Sequence, residues 1–195
     1  MKHYLWKSMY AGFKSSNGDI KWEVGKWFKE KDIKMCERGF HASVNPIHAM
    51  GYVPCEILAK VEVRGESIIQ NNKQCWSEMK IVKTYDWKKE DSVALAIYAA
   101  ELVIDIYEKK CSNDKRPREA IEAAKKWLKE PTEENRIAAA HAADDAYAAA
   151  HAANAAYYAY AAAHAANAAY AAAHAAEKEI TDKCAAFVLK RIKAK

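Results

Sequence analysis

The sequence predicts an α+β fold: a small mixed or antiparallel sheet domain over residues 1–90, then an Ala-rich helical bundle over residues 91–195. Three observations predict it. All six Gly residues lie at or before Gly65, which separates a turn-rich first part from a turn-free second part. In the first part apolar and polar residues alternate, at Ile20, Trp22 and Val24 and again from Ile57 to Val63, the period-2 mark of half-buried strands. In the second part, 26 of the 40 residues from Ile137 to Ala176 are Ala and none is Gly or Pro, so the backbone there favours helix.

Charge follows the same division. Residues 1–90 carry 16 Lys and Arg against 11 Asp and Glu, whereas residues 91–195 carry 15 of each. An excess this small suits an anionic small molecule, a nucleotide or an acidic protein face, and argues against nucleic acid, which calls for a clustered basic stripe. No apolar run of bilayer type and no leader pattern is present, and the four His, two Asp and two Asn of the Ala run oppose membrane insertion. A soluble, cytoplasmic protein is expected. The five cysteines are scattered without zinc spacing and read as free thiols.

In chain order, Tyr4 to Phe13 is expected as a first strand ending near Gly12. It should pair in a hairpin with Ile20–Val24 across the Ser15–Asp19 turn. Asp32–Cys36 offers a short strand. Asn45 and Pro46 then cap and open a helix from Ile47 to Tyr52. Ile57–Val63 is the clearest strand and should stop at Gly65. Ile68–Ile69 and Met79–Val82 supply one or two more, for a sheet of about five.

From Asp91 the apolar spacing changes to that of a helix and runs to about Lys110. A second helix, Arg118–Lys129, follows Pro117, and Thr132 is a candidate N-cap for the third helical region. Within that region Tyr147–Tyr157 recurs as Tyr160–Tyr170. Unbroken to Lys193 it would measure roughly 90 Å at 1.5 Å per residue, so breaks are expected near Asp144, Asn154 or Glu177. The last helix should turn Cys184, Phe187, Val188 and Ile192 inward. An Ala-surfaced body of this kind leaves contiguous apolar area, which predicts a homo-oligomer.

His41, after Gly39 and Phe40, is the leading candidate for ligand contact, because Gly permits close backbone approach; the plain alternative is a turn histidine bonded to backbone. Tyr10, Lys26, Arg38 and Arg64 are candidates to surround an anionic group with it, or else solvated surface. Arg116, with Lys115 and Arg118, opens a helix where donors and dipole favour phosphate; a charged interhelical turn is the alternative. His151, Tyr157 and His164 of the Ala run either pack between helices or line a ligand cleft. No Ser/His/Asp set, phosphate loop, HExxH or paired-carboxylate motif is present, so the residues give catalysis no support and imply neither a metal nor a cofactor.

The segment Asn113 to Leu128, followed by the Ala/His/Tyr run, resembles an all-helical family of immunity proteins found in bacteria and phages. Tyr10–Phe13, Glu23–Lys26, Cys36–Ala42 and Val61–Glu66 together resemble a small domain common in phage proteins. The order Tyr-x-Gly, Gly-Phe-His-x-Ser, short helix and alternating strand is faintly similar to ADP-ribosyltransferases, although neither Glu66 nor Glu78 falls in a matching motif. The resemblances imply a non-enzymatic binding protein of phage or mobile-element origin. Such a protein would antagonise a bacterial defence or toxin in the host cytoplasm, by sequestering a nucleotide-like signal or binding a partner protein. An NAD-using ADP-ribosyltransferase-like enzyme and a structural homo-oligomerisation protein are the alternatives.

Overall fold

The computed structural model describes residues 2–15, 20–142 and 166–194. The protein is an α+β chain with an N-terminal antiparallel sheet followed by helices. Met1–Lys88 together with Ala185–Lys195 form one compact unit, and Lys89–Cys184 form a second.

The sheet unit contains β1 (His3–Met9), β2 (Trp27–Lys29), β3 (Phe40–Ala42), a short helix α1 (Pro46–Met50), β4 (Ile57–Gln70) and β5 (Lys73–Asp86). The last two strands form a long hairpin through Asn71 and Asn72, and the strand order is β1-β4-β5-β2. Strand β2 lies opposite Lys80–Glu78 and β3 opposite Trp76–Gln74, so the two sit end to end along one edge of β5. Beyond β3, Ser43 exchanges two backbone hydrogen bonds with Trp6 in the middle of β1, each 2.8 Å. The pairing path β1-β4-β5-β3 thereby returns to β1 and closes around the core. That core is built from the inward residues of alternating strands: Leu5 and Met9, Ile57, Ala59, Val61 and Val63, and Met79 and Ile81, with Trp22 and Phe40.

Three expectations are corrected here. The N-terminal hairpin does not form. Gly12 and Phe13 take positive φ and turn the chain back on Tyr10, while β1 pairs with β4 from His3↔Val63 to Met9↔Ile57. The alternation at Ile20–Val24 places Trp22 in the core but leaves Val24 53% exposed, with an isolated bridge to Ile81. Asp32–Cys36 is a turn rather than a strand, with Asp32 and Cys36 in the left-handed region. Gly65 does not end β4 but sits in an irregularity between Arg64 and Ser67, at φ +84°, and the strand continues to Gln70. The Ser77 hydroxyl fills the space a Cβ at Gly65 would need and accepts the Glu66 N–H at 2.8 Å, as expected where a glycine marks a bulge.

The short-range signals hold. The Asn45 side chain accepts the Ile47 N–H at 2.9 Å with Pro46 in the first turn of α1, and the Thr132 hydroxyl accepts the Asn135 N–H at 3.2 Å.

The second unit carries α2 (Lys89–Glu101), α3 (Ile104–Lys110), α4 (Arg116–Lys129) and α5, helical over 133–142. The single helix expected from Asp91 to Lys110 is interrupted at Leu102 and Val103, which lets Ile104 bury beside Ile97 and Ile121. The last helix, α6 (Ala166–Lys193), is continuous through Glu177, with Cys184, Val188 and Ile192 buried at a spacing of four and Phe187 half-buried. Its residues from Ala185 onward group with the sheet unit. The region 143–165, with His151, Tyr157, His164 and the breaks expected near Asp144 and Asn154, lies outside the described residues. Among the described residues no helix is long and apolar enough to cross a membrane.

Candidate functional site

Strand β1 directs Leu5, Lys7 and Met9 to one face, and Leu5 and Met9 are fully buried core residues. A lysine therefore stands in the middle of an apolar inward row. Its Nζ donates to the His41 carbonyl at 3.3 Å and lies 5.5 Å from the Trp22 ring centroid. Burial lowers its pKa to about 8, against a small opposing effect of Cys75.

Opposite it, the loop from Cys36 to His41 lies close on β5. Gly39 makes this approach possible: at φ +110°, a Cβ would sit 2.6 Å from the Cys75 sulfur and 3.1 Å from Ile33 Cγ2. The Cys75 thiol donates to the Arg38 carbonyl at 3.3 Å; burial, then the neighbouring Cys36, push its pKa up and keep that proton in place. The His41 ring accepts the Cys36 N–H at its Nε2, 2.9 Å away, and is also hydrogen-bonded to the Gly39 backbone. Burial lowers the His41 pKa, and the ammonium groups of Lys7 and Lys73 lower it further, so the ring is neutral at pH 7 and clamps the loop. Lys73, at the start of β5, donates to the Cys36 sulfur at 3.0 Å and covers the Tyr52 ring at 4.7 Å.

These elements wall a cavity of about 480 Å³, within the range of small-molecule sites. Its aromatic lining is Trp6, Trp22, Phe40 and Tyr52; its cations are Lys7, Arg38 and Lys73. Glu30 and Glu37 also reach it, but Glu37 is engaged by Lys34 at 2.7 Å. Among the described residues, none of the three cations has a carboxylate partner within ion-pair distance. The hydroxyl of Ser43, fully buried on the cavity wall, has no hydrogen-bond partner among the described residues. Trp22 is held from behind by its indole N–H to the Ser15 hydroxyl at 2.8 Å and by the rings of Phe28 and Phe40.

Of the residues singled out from sequence, the structure brings Arg38 and His41 together on this cavity. Tyr10 is bridged to Lys14, Lys26 pairs with Glu23 at 2.8 Å, and Arg64 pairs with Glu78 at 2.8 Å while stacking 3.9 Å over Trp27; none of the three lines the cavity. In the helical unit Arg116 makes bonds of 2.9 and 2.7 Å to Asp114, and Arg118 makes bonds of 2.8 and 2.6 Å to Glu108, so both guanidinium groups are engaged by carboxylates. Sequence reasoning passed over Lys7, Trp22, Cys36, Tyr52 and Lys73. The signal that could have found Lys7 is its register, two residues from each of two core positions. All five cysteines are free thiols, and the described residues contain no cluster of three or more metal-ligating side chains.

Fold and site together define an α+β protein whose N-terminal sheet unit holds a cationic, aromatic-walled cavity. Residues 4–92 match a family described as a domain of unknown function (DUF7666), a stretch that includes every residue of the cavity wall but less than half of the chain. No curated protein and no solved structure matches the chain significantly.

Proposed function

We propose that the sheet unit is a binding module for an anionic, ring-bearing small molecule of nucleotide type. In this reading the chain sequesters that molecule without turnover, as a protein of phage or mobile-element origin antagonising a defence or toxin system in the cytoplasm of its bacterial host. The observation that carries the binding reading is the cavity itself, where Trp6 and Tyr52 offer rings for a base, Trp22 closes the wall, and Lys7, Arg38 and Lys73 offer positive charge not paired with a carboxylate among the described residues. The resemblances of both halves to phage and immunity proteins support the biological role, and no catalytic constellation accompanies the cavity among the described residues.

Thermal unfolding of the full chain with adenosine monophosphate, cyclic adenosine monophosphate or ADP-ribose tests this. A ligand present at 100 times its Kd stabilises the native state by about 2.7 kcal/mol. At least one compound is expected to raise the midpoint and to be recovered intact. Recovery of a cleaved compound would favour the ADP-ribosyltransferase-like alternative, and no shift with any compound would move the function to a protein partner.

A further inference from the structure

Among the described residues, one polar group on the cavity wall has no hydrogen-bond partner and a second has no counter-ion. Lys7 occupies an inward position between Leu5 and Met9, yet among the described residues its ammonium meets one carbonyl and a ring face and no carboxylate. The buried Ser43 hydroxyl, on the residue paired with Trp6 next to Lys7, has no partner among the described residues. A strand that places lysine where an apolar residue would pack better departs from its own pattern, and such departures concentrate at functional sites. A tetrahedral oxyanion supplies several acceptor oxygens and negative charge at once, which is what an unpaired ammonium and an orphan hydroxyl both lack.

From this geometry we propose that Lys7 is the group that holds a phosphate in the cavity, so that the ligand class is a phosphate-bearing molecule. The proposal rests on the cavity being a ligand site. The titratable side chains facing Lys7 are His41 from β3 and Cys75 from β5, with Lys73 beside His41. His41 and Cys75 are neutral at pH 7, so neither can serve as the counter-ion. Arg38, exposed, and Lys73, half-buried, add positive charge to the same cavity.

The experiment is a pH titration of the Lys7 side chain by nuclear magnetic resonance in the full chain, in inorganic phosphate and in chloride of equal ionic strength. The resonance is identified by its loss in Lys7→Met. In chloride the midpoint is expected near 8. In saturating phosphate it should rise by about one unit, equivalent to roughly ten-fold tighter binding to the ammonium than to the amine. Phosphate-dependent shifts of the Trp22 indole should vanish in Lys7→Met and persist in Lys7→Arg, which keeps the charge. Equal midpoints in phosphate and chloride, or phosphate shifts that survive Lys7→Met, would overturn the proposal. Adenosine monophosphate acting at lower concentration than inorganic phosphate would identify a nucleotide as the source of the group; equal potency would identify phosphate itself. A nucleotide-induced thermal shift undiminished in Lys7→Met leaves the binding module standing and removes Lys7 as its anchor.

Discussion

Lys7→Met is expected to make the sheet unit more stable at pH 7, by about 1–3 kcal/mol, while weakening phosphate binding. The gain follows from linkage. Folding lowers the Lys7 pKa from 10.5 to about 8, chiefly by burial; at roughly 1.4 kcal/mol per unit the ammonium is disfavoured in the fold by about 3 kcal/mol. Loss of the 3.3 Å bond to the His41 carbonyl offsets about 1 kcal/mol of this. The sign is specific. Below pH 8 the lysine is protonated folded and unfolded, and the penalty is present in full. Between 8 and 10.5 the unfolded chain binds the proton that the folded chain has released, so wild-type stability rises with pH and the advantage of the variant shrinks. Urea unfolding of both proteins at pH 7 and pH 9.5, followed by tryptophan fluorescence, checks both statements. A variant less stable than wild type at pH 7 would show that Lys7 is structural, and that no stability has been exchanged for function at this position.

Gly39→Ala is expected to destabilise the sheet unit by about 3–5 kcal/mol, since it combines a strained backbone with a steric clash. At φ +110° the backbone is outside the range that a residue with a Cβ readily adopts, and the added methyl would meet the Cys75 sulfur at 2.6 Å, with Ile33 at 3.1 Å behind it. Cys75 is fully buried and donates to the Arg38 carbonyl, so it cannot move aside without breaking the contact that seats the loop. Because Gly39 lies between Arg38 and His41 of β3, binding should fall with stability. Removing the sulfur in Gly39→Ala/Cys75→Ala should recover part of the loss, as expected for two sites in contact. Strict additivity in urea unfolding would refute the steric account and leave only backbone strain.

What was legible in the sequence was local. Asn45 before Pro46 and Thr132 before the third helical region identify helix starts because a cap is satisfied within three residues of itself. The sheet pairing was not legible. The alternation at Ile20–Val24 invited pairing with its nearest neighbour, whereas β1 pairs with β4 across a long stretch of chain, from His3↔Val63 to Met9↔Ile57, a choice made by closure of the core and not by any turn. Strand β3 is three residues long and gives no period to read. Gly65 carries one signal for two outcomes, since a turn at a strand end and a bulge within a strand can both use the positive φ that glycine allows.

The candidate site divides in the same way. His41 was legible because a nearby glycine advertises close backbone approach, and Arg38 as a cation able to surround an anionic group with it. Arg64 and Arg116 looked as available in sequence, but Glu78 with Trp27 and Asp114 engage them in space. Lys7 was missed because a lysine in an alternating strand ordinarily faces water, and only the register of β1 against β4 turns it inward.

The most direct test of the cavity as a ligand site is a two-dimensional proton–nitrogen spectrum of the full chain during titration with adenosine monophosphate and, separately, with adenosine. The account predicts saturable shifts, larger for the phosphorylated compound, at the Trp22 indole N–H bonded to Ser15 and at Trp6, Arg38 and Lys73. Saturation by either compound that leaves these resonances in place, or that moves only residues of the helical unit, would contradict it.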